Sequence, residues 1–202
     1  MTAARAALIL AASLVLAGPA RALDVSSLDQ RTIATLTADG PLVVLAGDDD
    51  GRLEMAIAVI AIDAPPQAVW DALADFESYP EWMPQTRATD VTRTDDAVTV
   101  AYTLQFELVI SKKVQYTLEF HDRGDHRMEY SLVEGDVSRN EGYWEIRPYG
   151  DQSILYYANY YDYASMRMLR PFLKQQPSLE LALGASGVGV VARAAKQRVE
   201  GS

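Results

Sequence analysis

The chain has 202 residues, and its 18 Lys and Arg against 28 Asp and Glu give a formal net charge of −10. This acidity argues against a nucleic-acid-binding protein, because neutralising phosphates requires a basic surface. The absence of cysteine excludes disulfide scaffolds, thiol nucleophiles, Cys-ligated metal centres and a lipid-modified cysteine. Only two histidines, His121 and His126, are present, and we expect neither a metal site nor a cofactor.

Residues 1–22 have the pattern of a secretory signal peptide. Arg5 precedes an uncharged apolar run over 6–17, and a small-x-small cleavage site follows at 20–22. An uncleaved anchor helix would need about 20 apolar residues, more than this run provides. The sequence therefore predicts a periplasmic or secreted protein that is not a lipoprotein, with one domain over 23–202.

The charge of the remaining chain is unevenly distributed. Residues 23–163 hold 10 basic and 26 acidic residues, whereas 164–202 hold 6 basic and 2 acidic. The basic segment includes Arg167, Arg170 and Lys174. These cations have two interpretations, a solvated face or docking on an anionic membrane surface.

The first predicted elements are a short helix, a hairpin and two further short helices. Residues 24–36 have loose helical spacing, and the apolar runs 41–46 and 53–62 flank the sequence Asp-Asp-Asp-Gly, which is a hairpin signal. Pro66 then opens a helix, since proline is tolerated in a first turn. Residues 76–84 are aromatic with two prolines and predict only a short helical turn.

After this point the hydrophobic period changes to two, which is typical of half-buried antiparallel strands. The last segment returns to helical spacing from Ser178 onward. The order predicts an α+β fold, a curved antiparallel sheet wrapped around a long C-terminal helix, with two short helices after the first strands. The alternating segments are 98–108, 113–121, 127–132, 142–147 and 154–163.

Three stretches carry a family resemblance: 62–73 (IDAPPQAVWDAL), 75–84 (DFESYPEWMP) and 142–148 (GYWEIRP). They resemble the START-like superfamily, also called SRPBCC, whose fold is the helix-grip fold. The closest group is the coenzyme Q-binding and polyketide cyclase/dehydrase branch, and the resemblance is clearest over 53–200. It implies a cavity between the concave face of the sheet and the C-terminal helix that holds a hydrophobic small molecule or lipid.

The candidate ligand-binding residues are large side chains on the strands and small residues on the facing helix. Glycine inside a helix costs about 1 kcal/mol relative to alanine, so the glycines over 184–189 indicate a cavity wall, close packing or a kinked helix start. In the last strand, alternation separates Tyr156 and Tyr160 from Tyr157, Tyr161 and Tyr163 without showing which face is inward. The candidates are Tyr102, Phe106, Tyr116, Met128, Tyr130, Trp144, Tyr156, Tyr160, Gly184, Gly187, Val188 and Val191.

The favoured function is an exported binding or carrier protein for a hydrophobic molecule. One alternative is a partner-binding protein of the cell envelope without a ligand. The other is a cyclase-like enzyme that uses the same cavity, with Glu134, Asp136, Arg139 and Asn140 as a potential polar cluster. No catalytic residue is predicted, because no convergent acid–base pair is recognisable.

Overall fold

Eight antiparallel strands form one curved sheet in the computed structural model, which describes residues 28–48, 52–107, 111–167 and 169–201. The predicted signal peptide and residues 49–51, where the sequence predicts the hairpin turn, lie outside these ranges. The strands pair in the order β1-β2-β8-β7-β6-β5-β4-β3. They are β1 (Leu42–Gly47), β2 (Leu53–Ile62), β3 (Thr86–Arg93), β4 (Val98–Glu107), β5 (Ser111–Asp122), β6 (Arg127–Gly135), β7 (Asn140–Tyr149) and β8 (Gln152–Tyr161).

The register of β4 on β5 shows why alternation produces a sided sheet. Val100 lies opposite Leu118, and Tyr102 lies opposite Tyr116, so large side chains form rows on the concave face. The alternating polar residues between them face the other side of the sheet. This is the arrangement that the period of two predicts.

Five α-helices accompany the sheet within the residues that the structure describes. The 23-residue α5 lies across the sheet and packs on β2, β1 and β8. By length and composition alone α5 could span a membrane, but its contacts with the sheet make it the central helix of the domain. The helices are α1 (Gln30–Leu36), α2 (Pro66–Ala74), α3 (Tyr79–Trp82), α4 (Arg170–Gln175) and α5 (Ser178–Glu200).

The core has two parts, one on each face of the sheet. The concave part lies between the sheet, α2 and α5. On the convex face, α1 places Ile33 against Val59, Ile154 and Tyr156. Both faces of β2 and β8 are therefore covered by helices.

The predicted α+β helix-grip architecture is confirmed, including the two short helices after the first strands. One strand was not predicted. Only Thr86 of β3 is buried, because β3 forms an edge of the sheet and its polar sequence shows little hydrophobic alternation.

Candidate ligand-binding cavity

A cavity of about 290 Å³ lies between the concave face of the sheet and α5. Its size is at the lower end of the range for small-molecule sites. The rows of large side chains on the central strands supply one wall, and one side of α5 supplies the other. The strand residues are Tyr102, Leu104, Phe106, Tyr116, Leu118, Phe120, Tyr130, Trp144, Tyr157 and Tyr161.

The exposed lining residues mark where the cavity opens. Gln85, between α3 and β3, and Ser186 and Val190 of α5 all line the cavity and are exposed. Val190 has 42% of its surface accessible. Met166 and Leu169, which precede α4, also line the cavity. The opening therefore lies between the α3–β3 connection and α5, beside the segment that leads into α4.

Tyrosine dominates the lining. Of the 11 tyrosines in the chain, seven line the cavity: Tyr79, Tyr102, Tyr116, Tyr130, Tyr157, Tyr161 and Tyr163. Burial raises the pKa of Tyr102, Tyr116 and Tyr130 well above the usual value. These phenols are therefore neutral at physiological pH, and each presents an apolar ring with one polar hydroxyl.

Two asparagines connect several of these hydroxyls. Asn159 donates through Nδ2 to the Oδ1 atom of Asn140 at 2.9 Å and to the hydroxyl of Tyr130 at 3.0 Å. The Tyr130 hydroxyl lies 3.2 Å from that of Tyr157 and 3.3 Å from the carbonyl oxygen of Ala158. This Asn–Tyr cluster is a polar but uncharged patch in an otherwise apolar wall.

Two buried polar atoms in the wall have no hydrogen-bond partner among the described residues. They are Nε1 of Trp144 and the hydroxyl of Tyr161, whose residues are 4% and 8% exposed. Leaving such a group unpaired costs about 1–3 kcal/mol. Both residues belong to the cavity wall.

The described lining contains no Asp, Glu, Lys, Arg or His. Of the polar cluster considered for a cyclase-like enzyme, only Asn140 is buried and lines the cavity. Glu134, Asp136 and Arg139 are exposed, and Arg139 pairs with Glu141. The cavity can therefore offer hydrogen bonds and apolar contact, while its described wall presents no acid–base pair.

The structure brings seven of the twelve candidate residues together at the cavity. These are Tyr102, Phe106, Tyr116, Tyr130, Trp144, Gly187 and Val191. The other five, which are not part of the lining, are Met128, Tyr156, Tyr160, Gly184 and Val188.

On β8, whose inward face the alternation left open, the candidates Tyr156 and Tyr160 lie on the convex face. Tyr156 packs on Ile33 and Ile154 on the convex side, and the guanidinium of Arg139 stacks over the ring of Tyr160 at 4.5 Å. Tyr157 and Tyr161 line the cavity instead. Because side chains alternate along a strand, choosing the wrong phase misplaces every residue on it.

The remaining misplaced candidates pack in the filled part of the core. Val188 is 1% exposed and Met128 is 5% exposed, but neither lines the cavity. A Cβ atom at Gly184 would lie 2.5 Å from Cδ2 of Leu53, so Gly184 allows close packing of α5 on β2. Gly187 belongs to the cavity wall. The glycines therefore divide between two of the three predicted roles, and α5 is one continuous helix without the kinked start.

Several lining residues were missed by the sequence reasoning. Tyr163 and Asn159 carry polar groups into the wall, and Met83 and Leu169 contribute apolar atoms near the opening. One sequence signal could have corrected the phase of β8. The predicted leading helix over 24–36 needs an apolar surface to cover, and Ile154 and Tyr156 provide one.

Comparison with known proteins identifies the family. The family model for polyketide cyclase / dehydrase and lipid transport matches residues 62–181, which is more than half of the chain. The chain belongs to this family. No curated protein sequence matches the chain.

Solved structures share the fold of this family member. The protein TTHA0849 from Thermus thermophilus has a TM-score of 0.62 and 21% identity, covering 73% of this chain and 97% of its own. A STAR-related lipid transfer protein from Xanthomonas axonopodis has a TM-score of 0.59 and 14% identity, covering 80% and 94%. A START superfamily protein from Mycobacterium smegmatis has a TM-score of 0.51 and 18% identity, covering 73% and 97%. These similarities show that the chain shares the fold of these proteins.

Proposed function

We propose that this chain is a binding or carrier protein that holds a hydrophobic small molecule or lipid in the cavity between the sheet and α5. The observation that carries the proposal is the lining itself, a wall of aromatic and aliphatic side chains with a few neutral polar groups. Moving apolar surface from water into such a site is favourable by about 25 cal/mol per Å². The family description includes lipid transport, which agrees with this function.

Binding is favoured over catalysis because of the chemistry of the wall. A cyclisation or dehydration needs groups that can accept and donate protons near neutral pH. The described lining supplies phenols whose pKa values burial raises, together with two asparagines. These groups orient a ligand by hydrogen bonding and are poor general bases. Ligand retention is therefore the function that this set of residues supports best.

Native mass spectrometry of the protein purified from its own host tests the proposal directly. We expect a fraction of the protein to carry a bound mass that organic extraction removes and that lipid analysis identifies. A neutral apolar dye, N-phenyl-1-naphthylamine, should bind the extracted protein with increased fluorescence. A protein that carries no bound mass and takes up no dye would contradict the proposal, and turnover of a polyketide substrate would favour the enzyme.

We further propose that the carrier loads at an anionic membrane through α4. Phe172 of α4 is 60% exposed, and the cations Arg167, Arg170 and Lys174 surround it in sequence. Leu169, one residue before α4, lines the cavity. An exposed aromatic residue among cations is suited to the interface of an anionic bilayer, and here it lies beside the route into the cavity.

Vesicle flotation tests this docking. The protein should float with vesicles that contain anionic phospholipid, and high salt or the Phe172→Asp substitution should release it. Arg31→Asp on α1, which changes charge on the opposite face of the sheet, is the matched control and should still float. Equal recovery with neutral and anionic vesicles would remove the electrostatic part of the proposal.

Export of the chain also remains a proposal. It is supported by the signal-peptide pattern of residues 1–22 and by the absence of cysteine, which suits an oxidising compartment. Fractionation of the native host, with mass spectrometry of the processed N-terminus, should find the protein in the periplasm starting at Leu23. Recovery of the full-length chain in the cytosol would contradict export.

A further inference from the structure

The wall of the cavity contains donors without acceptors. The indole N–H of Trp144 can only donate a hydrogen bond, and the Tyr161 hydroxyl can donate one. Both atoms lack a partner among the described residues, and both side chains line the cavity. Within the cavity's polar set, the carbonyl oxygen of Asn140 already accepts from Asn159. The two unpaired donors therefore need an acceptor, and an oxygen atom of a ligand can provide one.

The two donors mark separate positions along one face of the sheet. Tyr161 lies opposite Asn140, and Tyr157 lies opposite Trp144, in the pairing of β7 with β8. Positions 140 and 144 are four residues apart on the same strand, which corresponds to about 13 Å between their backbones. Trp144 lies among Phe120, Phe76 and Tyr130, whereas the ring of Tyr161 lies 4.8 Å from that of Tyr163. The deeper donor therefore lies in an aromatic cluster, and the other lies toward α5.

The lining also offers nothing that would compensate a charge. None of its described members is a cation or an anion, and Arg127 and Arg147, on the convex face, pair with Glu145 there. Burying an unpaired carboxylate in such a site is strongly unfavourable. The enclosed part of the wall therefore favours a neutral group over an ionised one.

We propose that the ligand is an uncharged, largely apolar molecule with at least one acceptor oxygen, such as a ketone or ester, which accepts a hydrogen bond from Tyr161 or Trp144. This inference rests on the proposed binding function and adds the chemical class of the ligand. An ionised fatty acid, although equally apolar along its chain, does not belong to that class.

Three probes with the same ring system test the inference by equilibrium dialysis: 2-ethylnaphthalene, 2-acetylnaphthalene and 2-naphthoate. They present a hydrocarbon, a ketone and a carboxylate to the same cavity. At pH 7 we expect the ketone to bind at least a hundredfold more tightly than naphthoate. Equal affinity for ketone and carboxylate would overturn the neutral-ligand inference.

The role of the donors is tested by comparing the ketone with the hydrocarbon in each variant. At least one of Tyr161→Phe and Trp144→Phe should weaken the binding of 2-acetylnaphthalene by about fivefold to tenfold more than it weakens the binding of 2-ethylnaphthalene. Tyr160→Phe is the matched control, because Tyr160 lies on the same strand but outside the cavity lining, and the guanidinium of Arg139 stacks over its ring. Thermal unfolding checks that each variant is folded, and Tyr161→Phe removes one oxygen only.

The outcomes separate this inference from the proposed function. If the ketone loses no affinity relative to the hydrocarbon in either variant, neither donor forms a hydrogen bond with the ketone oxygen. The inference is then wrong, while the binding function stands. If neither the hydrocarbon nor the ketone binds the unmodified protein, the proposed function itself fails. A loss in one variant alone assigns the oxygen to that donor.

Discussion

A Cβ atom at Gly187 would lie 3.0 Å from the hydroxyl oxygen of Tyr163. The same hydroxyl donates a hydrogen bond of 3.2 Å to the carbonyl oxygen of Leu183, one turn earlier in α5. Glycine at 187 therefore lets the helix approach the tyrosine while the neighbouring wall stays open. The helix accepts a residue of low propensity at this point, and the cavity benefits from the space.

Filling this space should block binding without unfolding the protein. Gly187→Leu places an isobutyl group in the cavity wall, and we expect N-phenyl-1-naphthylamine to bind at least tenfold more weakly, as measured by fluorescence titration. The protein should remain folded by circular dichroism, because the gain of about 1 kcal/mol from replacing a helical glycine offsets part of the cost of moving the Tyr163 hydroxyl away from the new Cβ atom. Gly189→Ala is the matched control, because its Cβ would make only an ordinary contact of 3.6 Å with Val43. Unchanged dye affinity in Gly187→Leu would contradict this assignment of the wall.

A second glycine supports the polar side of the cavity. A Cβ atom at Gly142 would lie 2.1 Å from the carbonyl oxygen of Ala158 and 2.6 Å from the Tyr130 hydroxyl. We expect Gly142→Ala to lower the free energy of unfolding by about 2–3 kcal/mol, because the backbone of β8 must move. Urea denaturation followed by circular dichroism measures this loss. Gly150→Ala, at a turn with φ of 59° and open space around it, should cost only about 1 kcal/mol.

Hydrophobic alternation predicted which side chains are inward on some strands and not on others. Alternation on β4 to β6 identified the concave rows correctly, because those strands have one wet face and one buried face. On β8 the residues Ser153 to Tyr156 are all buried, since α1 covers one face and the concave core the other. Because both faces of this strand are apolar, hydrophobic alternation does not show which residues face the cavity. Tyr156 was therefore listed as a candidate although it lies on the convex face.

The lining residues could be predicted from the sequence where a strand or helix is amphipathic. They could not be predicted where the role of a residue depends on its neighbours in the folded structure. Gly184 and Gly187 are three residues apart on α5, and only their neighbours, Leu53 and Tyr163, separate close packing from open space. The edge strand β3 gave no signal, because a strand with a mostly exposed sequence lacks a hydrophobic period.

Lowering the pH should remove the stabilising contribution of the Glu145 carboxylate on the convex face. Its carboxylate accepts hydrogen bonds from Nε of Arg147 at 2.6 Å and from Nη1 of Arg127 at 2.8 Å. Burial alone would raise the pKa of Glu145, but the two guanidinium groups hold it below the usual 4.5. The ionised form is therefore favoured by folding, so its contribution is present above pH 4.5 and is lost as the pH falls below that value.

Glu145→Gln should accordingly lower the free energy of unfolding by about 1 kcal/mol at pH 7. The difference from the unmodified protein should shrink toward zero near pH 3, as measured by urea denaturation across this pH range. Glu81→Gln removes the same charge from an exposed position of α3 and should show a smaller effect. A difference that persists undiminished at pH 3 would show that the carboxylate charge is not its source.

The cavity tyrosines should ionise only when the protein unfolds in alkali. Burial raises the pKa of Tyr102, Tyr116 and Tyr130 well above 10.0, so the folded state favours the neutral phenol. The unfolded state releases these protons first. The stabilisation is therefore complete below pH 10 and is lost as the pH rises toward the folded-state pKa.

Phenolate absorbance and far-ultraviolet circular dichroism, recorded on the same alkaline titration, measure this coupling. We expect a late phase of tyrosine ionisation that coincides with loss of the sheet signal, and Tyr116→Phe should reduce its amplitude. A neutral apolar dye should stay bound at constant affinity until that phase begins, because the described lining has no group that titrates near neutral pH. Complete ionisation of the tyrosines while the sheet signal remains native would show that they are accessible to solvent. That result would contradict their burial in an apolar cavity.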